Sequence, residues 1–453
     1  TASMALSSVP FTAMAEDTLP GVVQTQTTED ETTSGDAIEV EEGKFAVYQN
    51  GETTPYDTLE EAITEAQSGA IIKLGADAEV NTLGAVAETG KLTFDLNGHR
   101  LEYTGAVSSS GSNAELTFTD STVTETGTRG GTLDLTGVAV NKCVFNPQLG
   151  ATVNAENIRI ECTGSVFYPQ GNAAAVNITN CYVKAAVYCV GTNAGSDDNY
   201  GIAINLKDSE FVSSVDGGDN CTILLNVGGT LDIDNCEITG DKQAVIVRAG
   251  TADITNSEIT VTGTYTGNQN NWTDGNNIPP GALVVGNYVD GEASAYKADA
   301  DVNVSDTIIT SENSEVPAIY ADSNESYESN IDITGASTVV TGTVETGQYN
   351  KNHEGRETSD INIYAGRYYS SESNPNTSIS EYIADGNKIE NGQVIIDNEN
   401  AVAQIDDMGF KTLKEAAGVA KDGDVIELLQ NIIYGSSDDY TIPEGVTVLV
   451  PEG

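Results

Sequence analysis

A short pattern of alternating apolar and polar residues recurs along most of the chain. In each copy, two apolar positions separated by one residue are followed by Asn or Asp, a small residue and one further apolar position. The copies begin at Leu116, Val153, Val176, Ile204, Leu231, Ala252, Val302, Ile331 and Ile361. Most successive copies lie between 21 and 30 residues apart, and a second apolar run follows most of them. Each repeat therefore predicts about three short strands separated by bends.

The length of these strands favours one architecture. A strand of about four residues with one apolar face cannot bury that face alone, whereas coils stacked about 4.8 Å apart bury it continuously. The Asn or Asp position would then form a ladder of side chains at a bend. The chain lacks both the frequent Asn-Gly hairpins typical of a β-sandwich and the strict Leu frame of a leucine-rich repeat. We predict an all-β fold, a right-handed single-stranded parallel β-helix that forms a solenoid of about ten coils.

Two further segments, 45–74 and 400–429, align with each other. Each contains a Thr-x-x-Glu capping box, beginning at Thr58 and Thr412, followed by apolar residues with helical spacing. Each predicted helix ends near a Gly eleven residues after its Thr, and an apolar strand follows. These segments predict small strand-helix-strand caps. The first would cover the open N-terminal edge of the solenoid.

The pattern divides the chain into five segments. Residues 1–15 end in Ala-Met-Ala and are typical of the tail of a secretory signal peptide, while the acidic, Thr-rich residues that follow are typical of a spacer. The predicted segments are a signal-peptide remnant at 1–15, a spacer at 16–43, a cap with the first coils at 44–103, the β-helix at 104–395, and the start of a second, truncated cap and β-helix module at 396–453.

A resemblance to a known family rests on residues 56–101. This stretch contains Tyr-Asp-Thr-Leu-Glu-Glu-Ala-Ile, then Ile-Ile-Lys-Leu, then Phe-Asp-Leu-Asn-Gly-His-Arg-Leu. It resembles the start of right-handed parallel β-helix domains in secreted surface proteins of gut bacteria, which are similar in fold to pectate lyases. The resemblance covers about 45–395 and again 400–453. It implies an adhesin or a glycan-contacting protein, and it is more specific for architecture than for activity.

Composition excludes several classes of partner. The chain has 453 residues, with 69 acidic and 19 basic side chains and a formal net charge of −50. Nucleic acids and anionic lipid surfaces need a basic patch, which this sequence lacks. No apolar run reaches 18 residues, so the sequence predicts no membrane-spanning segment.

The six cysteines are expected to be stacked small residues rather than disulfides. Cys181 and Cys236 occupy the small position of the repeat, where other copies have Ser or Thr. One coil separates these two cysteines, which places them about 9–10 Å apart, beyond the reach of a disulfide. No metal site or resident cofactor is predicted, and adventitious Ca²⁺ is the one ion left open.

An enzymatic function needs converging acids and bases. The acidic candidates are Asp197, Asp198, Asp216 and Asp219, the basic candidates are Lys184, Lys207 and Arg248, and the histidines are His99 and His353. The Asp197-Asp198 pair is similar to the double aspartate of polygalacturonases, yet the Gly-His-Gly and Arg-x-Lys motifs of those enzymes are absent. Solvated turn aspartates are the preferred interpretation, so no catalytic residue is assigned.

The long interval at 262–292 carries the candidate ligand-binding residues Tyr265, Asn271, Trp272 and Asp274. An aromatic ring with neighbouring amides can stack on a sugar and bond its hydroxyls, or anchor a protein partner. The alternative is an insertion whose Trp packs back onto the coil wall.

These observations predict a non-catalytic, exported protein that is secreted or held at the bacterial cell surface. It would be an adhesin or stalk that binds an extracellular glycan or a host protein. The alternatives are a polysaccharide-active enzyme, either a pectate-lyase-like lyase or a glycoside hydrolase, and a binder of host immunoglobulin or matrix.

Overall fold

Strands from successive repeats pair side by side in parallel, each offset from the last by one repeat. Val153 lies opposite Leu116 on one side and Val176 on the other, so the same repeat position stacks from coil to coil. The computed structural model describes residues 38–192, 201–213, 221–263, 280–286, 298–323, 327–347, 359–371, 374–432 and 441–450. It confirms an all-β parallel β-helix, while the right-handed sense of the winding stays a prediction.

Three sheets form the walls of the solenoid. Sheet A has 13 strands, and sheets B and C have 14 and 8. Sheet A consists of Glu52–Tyr56, Phe45–Gln49, Ala70–Leu74, Lys91–Asp95, Glu115–Thr119, Thr152–Glu156, Ala175–Thr179, Ile202–Lys207, Gly229–Asp234, Gly250–Thr255, Ala300–Ser305, Ser329–Ile333 and Ser359–Ile363. The first two of these strands run antiparallel, which leaves eleven parallel strands among the described residues, close to the predicted ten coils.

The other two walls follow the same course. Sheet B consists of Ala78–Val80, Arg100–Tyr103, Thr132–Leu135, Arg159–Cys162, Tyr182–Ala185, Glu210–Ser213, Glu237–Gly240, Glu258–Val261, Ile308–Ser311, Val339–Thr341, Gly366–Ser371, Gln393–Ile396 and Asn387–Glu390, with Asn374–Pro375 paired at its side. Sheet C consists of Cys143–Phe145, Ser165–Phe167, Val190–Gly191, Ile223–Leu225, Gln243–Val247, Gly281–Gly286, Ile319–Asp322 and Val344–Thr346.

The bend between sheets A and B explains the Asn or Asp of the repeat. Six of these residues have positive φ, between 49° and 63°: Asn157, Asn180, Asp208, Asn235, Asn256 and Asp306. Asn and Asp tolerate this left-handed conformation better than other residues that carry a Cβ. Nδ2 of Asn180 donates to Oδ1 of Asn157 at 2.7 Å, and Nδ2 of Asn235 donates to Oδ1 of Asp208 at 2.6 Å. The predicted side-chain ladder at the bend is confirmed.

The small residue that follows forms a second, buried ladder. Oγ of Ser209 donates to the carbonyl of Lys207 at 2.6 Å and accepts from the backbone N–H of Cys181 in the preceding coil at 3.0 Å. Ser257 accepts in the same way from the N–H of Cys236 at 3.0 Å. At the bend, backbone N–H and carbonyl groups lose their partners in the sheets, and a hydroxyl or thiol at this position forms hydrogen bonds with them. This explains why the repeat keeps a small polar residue there.

The interior is filled by stacked apolar side chains. Aromatic rings occupy the early coils, with centroid distances of 5.5 Å for Phe94 and Phe118, 5.1 Å for Phe118 and Phe145, and 5.6 Å for Phe145 and Phe167. Later coils carry smaller apolar residues at the same positions, mostly Ile, Leu and Val, and these are almost fully buried. Each such side chain stabilises the fold by about 1.5–3 kcal/mol.

The predicted caps are present, with two corrections. Helix α1, Leu59–Glu65, and helix α3, Leu413–Val419, both begin after the predicted Thr, whose hydroxyl accepts from the N–H of the Glu at 3.2 Å and 3.1 Å. Each helix ends four residues before the predicted Gly, because the next residue, Ala66 or Ala420, is already extended.

The second correction concerns what surrounds the helices. A hairpin rather than a single strand precedes each one, and in the second cap it lies in a fourth sheet, sheet D, formed by Met408–Phe410, Ala403–Ile405, Val425–Leu428 and Thr447–Leu449. A further helix, α2 at Gly84–Thr89, and a 3₁₀ helix at Ser378–Tyr382 were not predicted. In neither does the side chain of the N-cap residue, Leu83 or Thr377, bond a helical N–H.

The loop at 123–130 forms a strap across the bend ladder. The N–H of Gly127 donates to Oδ1 of Asn180 at 2.7 Å, and Nδ2 of Asn180 donates to the carbonyl of Thr128 at 3.0 Å. Nη2 of Arg129 reaches the carbonyl of Asp208 at 3.1 Å, one coil further along. The strap therefore ties three successive coils together at the bend.

Replacing Asn180 with Ala should release the strap. The change removes the bonds to Asn157, Gly127 and Thr128 and places Ala at φ 51°, which together should cost roughly 2–4 kcal/mol. We expect a lower midpoint of urea unfolding and rapid tryptic cleavage after Arg129. Asn256→Ala is the control, because Asn256 has the same backbone conformation at a bend two coils beyond Asp208. Equal cleavage after Arg129 in both variants would contradict the role given to Asn180.

Five of the six thiols should be unreactive in the folded chain. All six cysteines are free; five are buried and Cys143 is half-buried. Burial raises the pKa of the Cys162 thiol to about 11 and that of Cys181 to about 12, so little thiolate forms at mildly alkaline pH. A maleimide or disulfide reagent should modify Cys143 first and the other five only in denaturant, as counted by intact mass. Fast modification of several thiols in the native protein would show that the coils open.

Candidate functional site

A row of polar side chains runs along the outer face of sheet A. The strand registers place these residues opposite one another from coil to coil. The row, here called the ladder row, consists of Thr117, Asn154, Asn177, Asn205, Asp232, Asp253, Asn303, Asp332 and Asn362. The outward face of a solenoid is its solvent-facing wall, so the row presents oxygens and amide groups at regular intervals to a ligand.

Hydrogen bonds between coils fix these side chains. Nδ2 of Asn177 donates to Oδ1 of Asn154 at 2.8 Å, and Nδ2 of Asn205 donates to Oδ1 of Asn177 at 2.7 Å. Further along, Nδ2 of Asn362 donates to Oδ1 of Asp332 at 2.9 Å. Each amide donates to the preceding coil, so its side-chain oxygen faces the next coil as an acceptor.

Carboxylates concentrate towards the C-terminal end of this face. Asp301, Asn330 and Asp360 form a neighbouring row, in which Nδ2 of Asn330 donates to Oδ1 of Asp301 at 2.9 Å. Burial raises the pKa of Asp332, and the charges of Asp301 and Asp360 raise it further, against the opposing hydrogen bond from Asn362. Negative charge therefore accumulates where the ladder row ends.

The ladder row leads into a groove of ≈ 350 Å³ at the end of the solenoid. This end groove lies where the last strand of sheet A meets the 3₁₀ helix and the second cap. Its lining consists of Ile361, Asn362, Tyr364, Glu381, Tyr382, Ile383, Ala384, Asp385, Phe410 and Glu415. Aromatic rings, an amide and carboxylates therefore meet in one concave site, a combination typical of ligand pockets.

Close packing holds the two sides of the groove together. The rings of Tyr364 and Phe410 lie 5.5 Å apart, and Nζ of Lys411 lies 2.9 Å from Oδ2 of Asp385. The side chain of Asn387 donates to the carbonyl of Gly409 and accepts from its N–H, both at 2.8 Å. A Cβ at Gly409 would lie 2.3 Å from the carbonyl oxygen of Gly386, so only Gly permits this approach.

The two tyrosines of the groove remain protonated over the physiological range. Burial raises the pKa of Tyr364 to about 12, and the charges of Asp332 and Glu415 add to the effect. Burial also raises the pKa of Tyr382, whose hydroxyl lies 3.4 Å from that of Thr346. Both phenols therefore present neutral rings and hydroxyl groups to a ligand.

Most of the site residues predicted from the sequence lie outside the part of the chain that the structure describes. Tyr265, Asn271, Trp272 and Asp274 lie outside the described residues, as do Asp197, Asp198, Asp216, Asp219 and His353. The basic candidates are separated: Lys207 lies on sheet A, Lys184 on sheet B, and Arg248 follows a strand of sheet C and is fully buried. The structure does not bring these three side chains into one site.

Sequence reasoning missed the end groove because its parts are far apart in the chain. Tyr364 occupies a variable position within the last repeat copy, and Phe410 lies two residues before the second capping box. Glu381, Tyr382 and Asp385 belong to a segment without periodicity. Only the folded chain places them beside Asn362.

Comparison with known proteins found no match to this chain among family models, curated proteins or solved structures. In the described part of the chain, no group of three or more His, Cys, Asp or Glu side chains has the arrangement of a metal site. None of the helices seen there is long and apolar enough to cross a membrane.

Replacing Asn387 with Ala should loosen the groove. The N–H and carbonyl of Gly409 would lose their partner, at a cost of about 1–3 kcal/mol. We expect the Gly409 amide to exchange with deuterium at least about tenfold faster, as measured by hydrogen exchange. Asn374→Ala is the control, because Asn374 is exposed and its side chain donates to Oγ of Ser371, three residues away in the sequence. Unchanged exchange in Asn387→Ala would show that this bond pair does not hold the joint.

Proposed function

We propose that this chain is a non-catalytic, exported β-helical stalk of the bacterial cell surface that binds a glycan in the end groove. The observation that carries the proposal is the meeting of Tyr364, Tyr382 and Phe410 with Asn362 and the groove carboxylates at the end of a polar row. Export rests on the signal-peptide pattern of residues 1–15. Adhesion would follow from a stiff rod that holds its site away from the surface.

The chemistry of the lining suits a sugar. The apolar face of a pyranose packs on an aromatic ring, while amides and carboxylates bond its hydroxyl groups in fixed directions. The half-buried ring of Tyr382 offers a stacking surface, and Asn362 and Glu381 offer bonding groups beside it. With a formal net charge of −50, the chain would repel a polyuronate, so a polyanionic glycan is disfavoured.

One observation favours a second candidate, a glycoside hydrolase. Asp332 has a raised pKa and lies on the same face as Asp301 and Asp360. In glycosidases, a carboxylic acid whose surroundings raise its pKa serves as the general acid. Release of reducing sugar that is lost in Asp332→Asn would establish this alternative.

The binding proposal is tested by screening the full chain against a glycan array and measuring hits by calorimetry. Tyr382→Ala should weaken binding by about tenfold, or ~1.4 kcal/mol, because it removes the stacking ring. Tyr369→Ala is the control, since Tyr369 is equally half-buried but lies on sheet B outside the groove. The absence of any glycan ligand, or equal losses in both variants, would refute the proposal.

A further inference from the structure

We infer that the glycan bound in the end groove carries a protonated amine, so that the preferred ligand is an amino sugar with a free ammonium group. This inference rests on the proposed function and specifies its ligand. It follows from the charges, the rings and the direction of the ladder row at this one site.

Carboxylates are the charged groups of the lining. Glu381 lies on the 3₁₀ helix, Asp385 in the turn that follows it and Glu415 on helix α3, and the ten lining residues include no Lys, Arg or His. All three acids are exposed, so they face solvent and are open to a ligand. A fourth carboxylate, Asp332, lies directly behind Asn362.

Local partners leave part of this charge uncompensated. Lys411, outside the lining, pairs with Asp385 at 2.9 Å. One oxygen of Glu415 accepts from the N–H of Thr412 at 3.0 Å in the capping box. Lys411 also interacts electrostatically with Glu415. This one cation beside the groove stands against three carboxylates in the lining. The groove therefore retains net negative charge.

The aromatic lining reinforces the preference for a cation. A positive group over the face of a Tyr or Phe ring is attracted by the ring quadrupole. The raised pKa values keep Tyr364 and Tyr382 neutral. These rings can therefore pack on the carbon skeleton of a sugar while attracting its ammonium group.

The direction of the ladder row adds acceptors at the same place. Because Nδ2 of Asn362 donates backwards to Asp332, the side-chain oxygen of Asn362 is left as the last acceptor of the row, at the groove. This end of the ladder row is therefore suited to a ligand that carries many hydrogen-bond donors. An N-acetylated sugar has an uncharged amide, with a carbonyl acceptor, in place of the ammonium group. A uronic acid has a carboxylate, which the acidic groove repels.

The test compares three oligosaccharides of equal length: a glucosamine oligomer, its fully N-acetylated counterpart and a uronate oligomer. Calorimetry of the full chain is run below the pKa of the sugar amine and at low salt. We expect the glucosamine oligomer to bind at least about tenfold more tightly than the acetylated one, and the uronate not to bind.

Charge-removing variants locate the effect. Glu381→Gln and Asp385→Asn should each weaken glucosamine binding severalfold and leave binding of the acetylated oligomer unchanged. Glu390→Gln is the matched control, because Glu390 pairs with Lys388 at 3.0 Å much as Asp385 pairs with Lys411, yet lies outside the groove.

The outcomes separate this inference from the proposed function. If the acetylated oligomer binds as tightly and Tyr382→Ala weakens its binding about tenfold, the groove binds glycans but the amine preference is wrong. If Glu390→Gln weakens glucosamine binding as much as Glu381→Gln, attraction to the acidic surface is diffuse and the inference fails. If no oligosaccharide of this or the wider array binds, the proposed function itself is refuted.

Discussion

The structure depends on the parallel pairing of very short strands between neighbouring coils. Most strands in the three walls have three to six residues, too few to be stable alone. Each gains its hydrogen bonds and its apolar contacts from the coils on either side. The stability of each coil therefore depends on its two neighbours. A feature that maintains the offset of one repeat between paired strands stabilises the fold wherever it recurs.

Two ladders at one bend maintain that offset. The Asn or Asp residues adopt the left-handed conformation that turns the chain, and their side chains bond to the neighbouring coil. The next residue places a hydroxyl or thiol inside, where it pairs backbone groups of its own coil and the preceding one. Because Cys can replace Ser in the donor role, Cys181 and Cys236 belong to the architecture of the bend rather than to redox chemistry.

The candidate site arises where this regularity ends. Stacking coils present an almost continuous polar wall, which offers little concave surface. At the last coil, sheet A ends, the 3₁₀ helix crosses over and the second cap packs against the rod through Asn387 and Gly409. A groove opens at this joint because the cap does not continue the coil. The ladder row then ends at a site that also contains aromatic rings.

The sequence by itself determined the parallel β-helix, the bend ladder, the unpaired cysteines and the N-cap Thr of both cap helices. Among the described residues, the predicted capping box is complete at Thr412, whereas at Thr58 only the bond to the Thr hydroxyl forms. Each of these features depends on residues that lie a few positions apart in the sequence. The repeat places residues of the same type at equivalent positions in successive coils. Four other features were decided only by the tertiary structure. They are the pairing of the cap hairpins into sheets, helix α2, the strap at 123–130 and the end groove. Tyr364 and Phe410 lie 46 positions apart, and Arg129 and Asp208 lie 79 apart. No local sequence pattern predicts either contact. The number of residues between the two partners depends on how the coils wind and on where the solenoid ends.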